Sequence, residues 1–423
     1  MFTGGILVRR LTKIILSLAC AGPAGAAIAP PPPTPDEGTT FHLFVGDQYT
    51  YDDNLYRIPP SFSPVVSTLT PNATREDRIN TLSGGGIGQW FFGRQNIDFS
   101  VRADYSRFAH NTALNNTGGD GTLIWNWLVG SHFSGQVGAE FNRALASFAE
   151  TRFLGRDLVD YKTYFGKATF QVGPHWAIIG GARETDITHG AAAAVYNNFK
   201  LRSGNAGMEF SMGVSDSFGL EYQYTRGIYP PNYTFDNLPF DRDFKEDTYR
   251  GTIKYAVTEK FNVDAYAGYL KHTLAPQNIL PSSIFGNFSG DIWRVTLNWL
   301  PTEKTQLGFA GWHELHAYLV NATNYFISKG FSVSPTWRPT EKITVDFVAS
   351  HEDEDFAAIQ SVLGLLAPRR FDRVTAEQIN VFYVPRDRWT LNLFFRNERR
   401  TSNLPDLTYS DRSGNVSFTY KFW

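Results

Sequence analysis

Hydrophobic and polar residues alternate along most of the chain. Ile97, Phe99, Val101, Ala103 and Tyr105 interleave with Asp98, Ser100, Arg102, Asp104 and Ser106. Val263, Ala265 and Ala267 follow Phe261 on one parity, with Asn262 and Asp264 on the other. The same alternation runs through Ile343, Val345, Phe347 and Ala349 against Thr344, Asp346 and Ser350, and through Trp293, Val295, Leu297 and Trp299 against Arg294, Thr296 and Asn298. A period of two predicts strands with one apolar face. Tight turns punctuate these strands roughly every forty residues. They are centred on Gly93-Arg94, Gly130-Ser131, Gly173-Pro174, Ser215-Asp216, Thr258-Glu259, Thr302-Glu303, Thr340-Glu341 and Arg386-Asp387.

Eight turns imply sixteen strands, and an opening strand near Phe41 to Tyr51 and a closing one near Asn415 to Phe422 raise the number to about eighteen. An even number leaves both ends of the sheet on the turn side. The opposite connections are longer and rich in Pro, Asn and Asp, around 52–78, 109–120, 149–158, 186–197, 229–246, 272–290, 316–326, 352–370 and 398–411. A soluble β-sandwich would also alternate. The aromatic residues distinguish the two: Trp176, Phe218, Phe261 and Trp389 open strands after tight turns, and Trp299 and Trp337 close strands before them. Rings gathered at one end of an apolar band suit a membrane interface. The pattern therefore predicts a transmembrane antiparallel β-barrel over residues 40–423, with short periplasmic turns and longer extracellular loops.

The ends of the chain give it an address. Residues 1–26 carry Arg9, Arg10 and Lys13, an apolar stretch from Ile14 to Ala21 and the small-residue pattern Ala24-Gly25-Ala26, which together predict a Sec-type signal peptide. Residues 27–39 read as a proline-rich periplasmic leader. At the far end Val416, Phe418, Tyr420 and Phe422 alternate up to Trp423, in the manner of a C-terminal signal read by the barrel-assembly machinery of the Gram-negative outer membrane.

Composition agrees. The net charge is −2, and removal of residues 1–26 leaves 36 basic against 41 acidic residues, a charge of −5 that argues against a nucleic-acid partner. Mean hydropathy is only −0.28, as expected where alternate residues alone face lipid. The single cysteine, Cys20, lies in the predicted signal peptide, so no disulfide or cysteine-ligated metal is expected in the barrel.

With the apolar parity outward, the opposite parity predicts a polar lumen. Its charged candidates are Asp98, Arg102, Asp104, Glu140, Lys167, Arg183, Glu209, Glu221, Arg250, Lys254, Asp264, Arg294, Asp346, Arg396 and Lys421, a near-balance of signs. Such a wall makes either a conduit or a pore closed by its own salt bridges. Tyr266 and Phe394 share this parity and are candidates for stacking on sugar rings. Leu123 to Val129 and Trp176 to Ile179 are apolar on both parities, which leaves their faces open.

Catalytic signals are weak. The nine histidines adjoin no nucleophile motif, and no catalytic residue, cofactor or metal is expected. His313 and His316 are three apart, a helical rather than a strand spacing for two metal ligands. The acidic run His351 to Asp355 lies at a predicted loop entrance, where a solvated loop is favoured over a calcium site.

The most specific local motif runs from Gly46 to Pro59. Its Tyr51, Asp52, Asn54, Leu55, Tyr56, Arg57 and Pro59 match a Tyr-Asp-x-Asn-Leu-aromatic-Arg-x-Pro pattern, and in this the chain resembles the EpsL-type outer-membrane proteins of exosortase-associated exopolysaccharide operons, which are related to porin-like β-barrels. The resemblance implies a barrel channel for export of extracellular polysaccharide, without chemistry. Its implied partners are outer-membrane lipid, the polysaccharide and periplasmic export components. The bare residues allow a simpler reading, in which Asp52, Asp53 and Asn54 cap a strand and begin a loop. A general diffusion porin for small hydrophilic solutes, and a surface-exposed enzyme or structural barrel, are the alternative functions.

Overall fold

A computed structural model describes residues 40–62, 74–149, 154–213, 216–230, 241–275, 287–317, 325–356 and 369–422, with a two-residue hairpin at 234–235 and 238–239. The predicted signal peptide, residues 1–26, the predicted leader, residues 27–39, and Trp423 lie outside the described residues. Eighteen antiparallel strands form one sheet. In order they are β1 Thr40–Asp52, β2 Asp77–Phe92, β3 Gln95–Phe108, β4 Asn116–Val129, β5 Phe133–Leu145, β6 Leu158–Val172, β7 Trp176–His189, β8 Phe199–Ser211 and β9 Ser217–Ile228. Then follow β10 Phe244–Thr258, β11 Phe261–Leu274, β12 Phe288–Thr302, β13 Thr305–Ala317, β14 Tyr325–Thr340, β15 Ile343–Phe356, β16 Phe371–Arg386, β17 Trp389–Ser402 and β18 Tyr409–Phe422. Each pairs with its sequence neighbours, and β1 pairs with β18 from Leu43 opposite Phe422 to Asp52 opposite Ser413, which closes the wall.

The eight predicted turns fall between strands that pair at one end of the barrel, and six of them use two chemistries. Gly93, Gly130 and Gly173 sit at φ 61°, 61° and 68°, the left-handed region that a residue without a Cβ enters without strain. The Thr-Glu-Lys turns use a hydroxyl instead: Thr258, Thr302 and Thr340 Oγ1 accept from the amides of Lys260, Lys304 and Lys342, each within 3.3 Å. The pairing register shifts next to each of these three turns and next to the Arg386–Trp389 turn.

The outer parity is apolar and bare, with Leu220 66 %, Leu82 60 % and Phe331 58 % exposed. Register resolves the two ambiguous strands: Trp125 lies opposite Ile97 and Val137, and Ile178 opposite Phe170 and Met208, so all face outward while Ile124 and Ile179 face in. Phe41, Trp90, Trp176, Phe218, Trp337 and Trp389 mark the turn-side border of this belt. A second border of tyrosines, which the turn-side pattern did not reveal, runs nearer the loops through Tyr49, Tyr105, Tyr164, Tyr249 and Tyr269. Beyond the tyrosines the outer face turns ionic, with Arg143–Asp160 at 2.6 Å, Arg202–Glu184 at 2.7 Å and Lys200–Asp186 at 3.3 Å. A carboxylate interrupts the belt at Asp47, which faces outward and accepts the Asn80 amide at 2.7 Å.

The strands outrun their expected ends at the loop side. β18 begins at Tyr409 rather than Asn415, and the acidic run His351 to Asp355 lies inside β15, paired with Phe331 to Ile327 on one side and Thr375 to Phe371 on the other. The expectation of a loop there is corrected: alternation sends Glu352 and Glu354 inward and His351, Asp353 and Asp355 outward, so the run is no calcium-binding loop. Acidity does not mark a loop here, because a wide barrel's inner face is hydrated and tolerates charge.

Val263 and Val345 lie on the outer parity, opposite Tyr255 and Leu297 and opposite Trp337 and Val381. Arginine at either position is expected to destabilise the barrel by about 2–4 kcal/mol. Asp264→Arg and Asp346→Arg on the inner parity are expected to fold. Heat-modifiable gel mobility checks the contrast, and equal damage from both classes would refute the face assignment.

Candidate functional site

Register places all fifteen predicted lumen residues on the inner parity, and it brings most of the arginines onto carboxylates of neighbouring strands. Arg102 meets Asp120 at 2.5 Å and lies 3.8 Å from Asp104. Arg183 meets Glu140 at 3.1 Å, Arg250 meets Glu221 at 2.9 Å, Arg294 meets Glu314 at 2.6 Å, Lys254 meets Glu209 at 3.7 Å, and Arg396 bridges to Glu398. Asp98 accepts the amides of Asn96 and Asn126, and Asp346 accepts the Thr336 hydroxyl. Lys167 and Lys421 make no salt bridge among the described residues.

Three of these partners, Asp120, Glu314 and Glu398, were not among the expected residues. Asp120 stands in Gly118-Gly119-Asp120-Gly121, where no apolar alternation marks a strand, and Glu398 stands in the charged run Arg396 to Arg400. Glu314 is flanked by His313 and His316, which drew attention to themselves as a metal pair; on a strand, His313 faces outward with Trp293 while His316 faces inward and stacks on Phe326 at 5.0 Å. Hydrogen bonds and ring contacts extend the pairs into a belt over β8 to β15. Asn205 donates to Glu221, Arg250 lies 5.7 Å from the Tyr266 ring, Tyr266 donates to Glu314, Arg294 lies 5.2 Å from Trp312, Trp312 donates to Ser328, and Ser328 donates to Glu352. The belt holds its guanidinium groups against the wall. Phe394 is on the inner parity too, opposite Asn380 and Asn415.

The Tyr51 to Pro59 motif builds a latch at the closing seam. Asp52, the last residue of β1, faces inward and accepts both Nη groups of Arg57 at 3.0 Å. Arg57 Nη1 also lies 2.9 Å from Asp411 on β18 and donates to the Asn54 carbonyl. Asn54, fully buried, donates to Ser410 O across the seam at 2.8 Å and to Ile58 O within the loop. Arg57 has φ 54°, an uncommon conformation for a side chain this large, held here by three partners. Burial opposes its charge, but the Asp52 and Asp411 carboxylates outweigh burial and keep it protonated throughout. Asp52, Asp53 and Asp411 have carboxylate oxygens close enough for a metal ion, but Arg57 already holds two of the three.

The rest of the motif turns into the barrel. Leu55, Tyr56 and Ile58 pack with the inward Ile79 and Phe108 and with Leu114 and Phe148 in one buried cluster, each large side chain contributing about 1.5–3 kcal/mol. The Tyr56 hydroxyl donates to Asn111, and its pKa is pushed up to about 12 by burial and by the nearby Asp77 charge. Phe148 comes from the connection after β5, which reaches over the mouth: its ring meets Tyr56 at 4.9 Å, and the next carbonyl, Ala149 O, accepts from Arg400 on β17 at 3.0 Å. On the other side of the mouth, inward rings continue the lining through Phe199, Tyr229, Phe244 and His272, and through Phe326 and Phe356.

Arg57→Ala would leave Asp52 and Asp411 facing each other without a cation. A loss of about 3–5 kcal/mol is expected, with little rescue by Arg57→Lys, which cannot bridge two carboxylates as a planar fork; denaturant melts in detergent check both. A second prediction concerns Asp157, which accepts from His189 Nδ1 at 2.6 Å and from the Ala191 amide at 2.9 Å. Burial pushes its pKa up, but these donors win and hold it below the ordinary carboxylate value. A depressed pKa gives stability that is complete above the unfolded value, near 3.9, and lost as pH falls through the folded one. Hydrogen-exchange protection of residues 190–198, corrected for intrinsic rate, is expected to hold at neutral pH and fall below about pH 4. Asp157→Asn should abolish that pH dependence.

No protein-family model matches the chain, and no curated protein matches it. Among solved structures it is similar to OccK9 (OpdG) of Pseudomonas aeruginosa, at 10% identity and TM-score 0.48 over 91% of this chain and 98% of that one. It is similar also to OccK2 (OpdF) of the same organism in complex with glucuronate, at 9%, 0.49, 91% and 98%. A BenF-like porin from Pseudomonas fluorescens Pf-5 matches at 10%, 0.47, 91% and 99%. The closed eighteen-strand antiparallel barrel of this chain rests on its own ladder of strand pairs.

Proposed function

We propose that the chain is an outer-membrane channel for hydrophilic solutes in a Gram-negative bacterium, reached after Sec-type export. The observation that carries this reading is the opposite character of the two faces of one closed wall: bare apolar side chains outside, paired charges inside. An apolar belt of this extent is costly in water and at home in lipid. Val416, Phe418, Tyr420 and Phe422 all lie on the outer parity of β18, where the barrel-assembly machinery would read them together with Trp423.

The finer reading is a barrel for export of extracellular polysaccharide, working with periplasmic export components. It is supported by the resemblance of the Tyr51 to Pro59 motif, and by the place of that motif at the mouth, where an outgoing chain would leave. The inward Tyr266 and Phe394 would offer faces to sugar rings. A general diffusion porin is the competing reading, favoured by the run of hydrated charges along the inner wall; the two connections folded into the mouth weigh against free diffusion.

Purified barrel in a planar bilayer, with and without oligosaccharide from the producing strain, separates the two. Reversible current block, together with loss of secreted polymer in a deletion strain, is the expected result for export. Unaltered secretion and free passage of small sugars would leave the porin, and the absence of any conductance would sink both.

A further inference from the structure

We propose that the loop-side mouth is a cation-selecting vestibule, which admits cationic and neutral solutes and turns back anionic ones. The inference rests on the channel reading and adds to it the class of solute. Its origin is the uneven height at which the inner wall carries its charges. Among the described strand residues, the turn-side and middle levels hold eight lysines and arginines against nine carboxylates, which are the predicted lumen set with Asp120 and Glu314 added. The loop-side ends hold Asp52, Asp77, Glu246, Glu352, Glu354, Asp372, Glu398 and Asp411, eight carboxylates, against a single wall cation, Arg400.

Arginines from the connections reduce this excess without cancelling it. Arg57 is shared by Asp52 and Asp411, Arg400 lies 3.6 Å from Glu354 and 3.7 Å from Asp372, Arg370 meets that same Asp372, and Arg396, counted with the middle level, bridges up to Glu398. Arg156 and Arg242, in described connections, adjoin Asp157 in one case and Asp241 and Asp243 in the other, so they add no net positive charge. Burial raises the pKa of Glu354 to about 7 and of Asp411 to about 8, whereas Glu246 and Glu352, held by His272 and Ser328, meet no lysine or arginine among the described residues and carry the excess. Rings of acidic side chains select cations because a low-dielectric wall focuses their field into the bore. The effect on the solute is direct: a strongly anionic polysaccharide would meet a repelling mouth, whereas a neutral or amino-sugar polymer would not.

The test is the reversal potential of the purified full barrel in a planar bilayer under a potassium chloride gradient. A potassium-to-chloride permeability ratio of at least about threefold at 0.1 M salt is expected, declining toward one near 1 M, where the screening length shrinks to about 3 Å. Glu246→Gln with Glu352→Gln, both partly buried, should lower the ratio about twofold in a barrel that still shows heat-modifiable mobility; Glu352→Gln alone serves if the pair does not assemble. A conducting wild-type barrel with a ratio of one or below would overturn the vestibule and leave the channel standing. A folded variant with an unchanged ratio would overturn the assignment to these carboxylates. No conductance in any preparation would remove the channel reading, and this inference with it.

Discussion

Backbone hydrogen bonding without water is the constraint from which the rest of this molecule follows. A strand whose outer side chains are Leu82, Val101 or Leu220 has no solvent on that side to satisfy a dangling amide, so every strand needs two partners. The chain meets this by pairing each strand with its sequence neighbours and bringing β18 back to β1 over ten residue pairs. Period-two alternation is then forced, because a one-residue slip would carry a whole polar face into the apolar belt. The turn chemistry serves the same end: left-handed glycines and threonine hydroxyls let adjacent strands reverse within a few residues, which fixes the register of each hairpin.

Inside the wall the same geometry produces a different problem. Alternation delivers a charged or polar residue to the lumen at every second position, and adjacent strands bring these groups within a few ångström of each other. The middle of the barrel answers by pairing opposite signs on neighbouring strands, as Arg250 does with Glu221 and Arg294 with Glu314. Hydrated pairs of this kind contribute little to stability, about 0–1 kcal/mol each. Their effect is on shape and field, since a guanidinium held flat against the wall neither obstructs the bore nor projects unbalanced charge into it.

Most of the fold was legible in the sequence, and the reasons are physical. Strand number, parity and the turn-side end follow from periodicity and from Gly and Thr-Glu-Lys turns, both local signals. Loop-side strand ends were not legible, because residues such as His351 to Asp355 and Tyr409 to Gly414 are polar on both parities once they rise above the apolar belt, and polarity there says nothing about extension. The mouth was equally hidden. That Tyr56 would meet Phe148, or that Arg57 would find Asp411, depends on contacts between segments far apart in sequence, for which the chain carries no periodic signature. The motif itself was visible as unusual; its left-handed arginine and inward fold were not.

The span of the latch carries a further consequence. Asn54 bonds to Ser410 and Asp53 to Arg412, pairs separated by 356 and 359 positions along the chain. The amino-terminal half of this arrangement is synthesised first and cannot mature until the final strand is in place. An Arg57 caught before that moment has Asp52 and the Asn54 carbonyl but not Asp411, and Asn54 has Ile58 but not Ser410, although the apolar side of the loop can already pack on Ile79 and Phe108. The cross-seam bonds are thereby made only on completion of the circle. The same few side chains that join the two ends of the polypeptide are the last in the loop to find their partners.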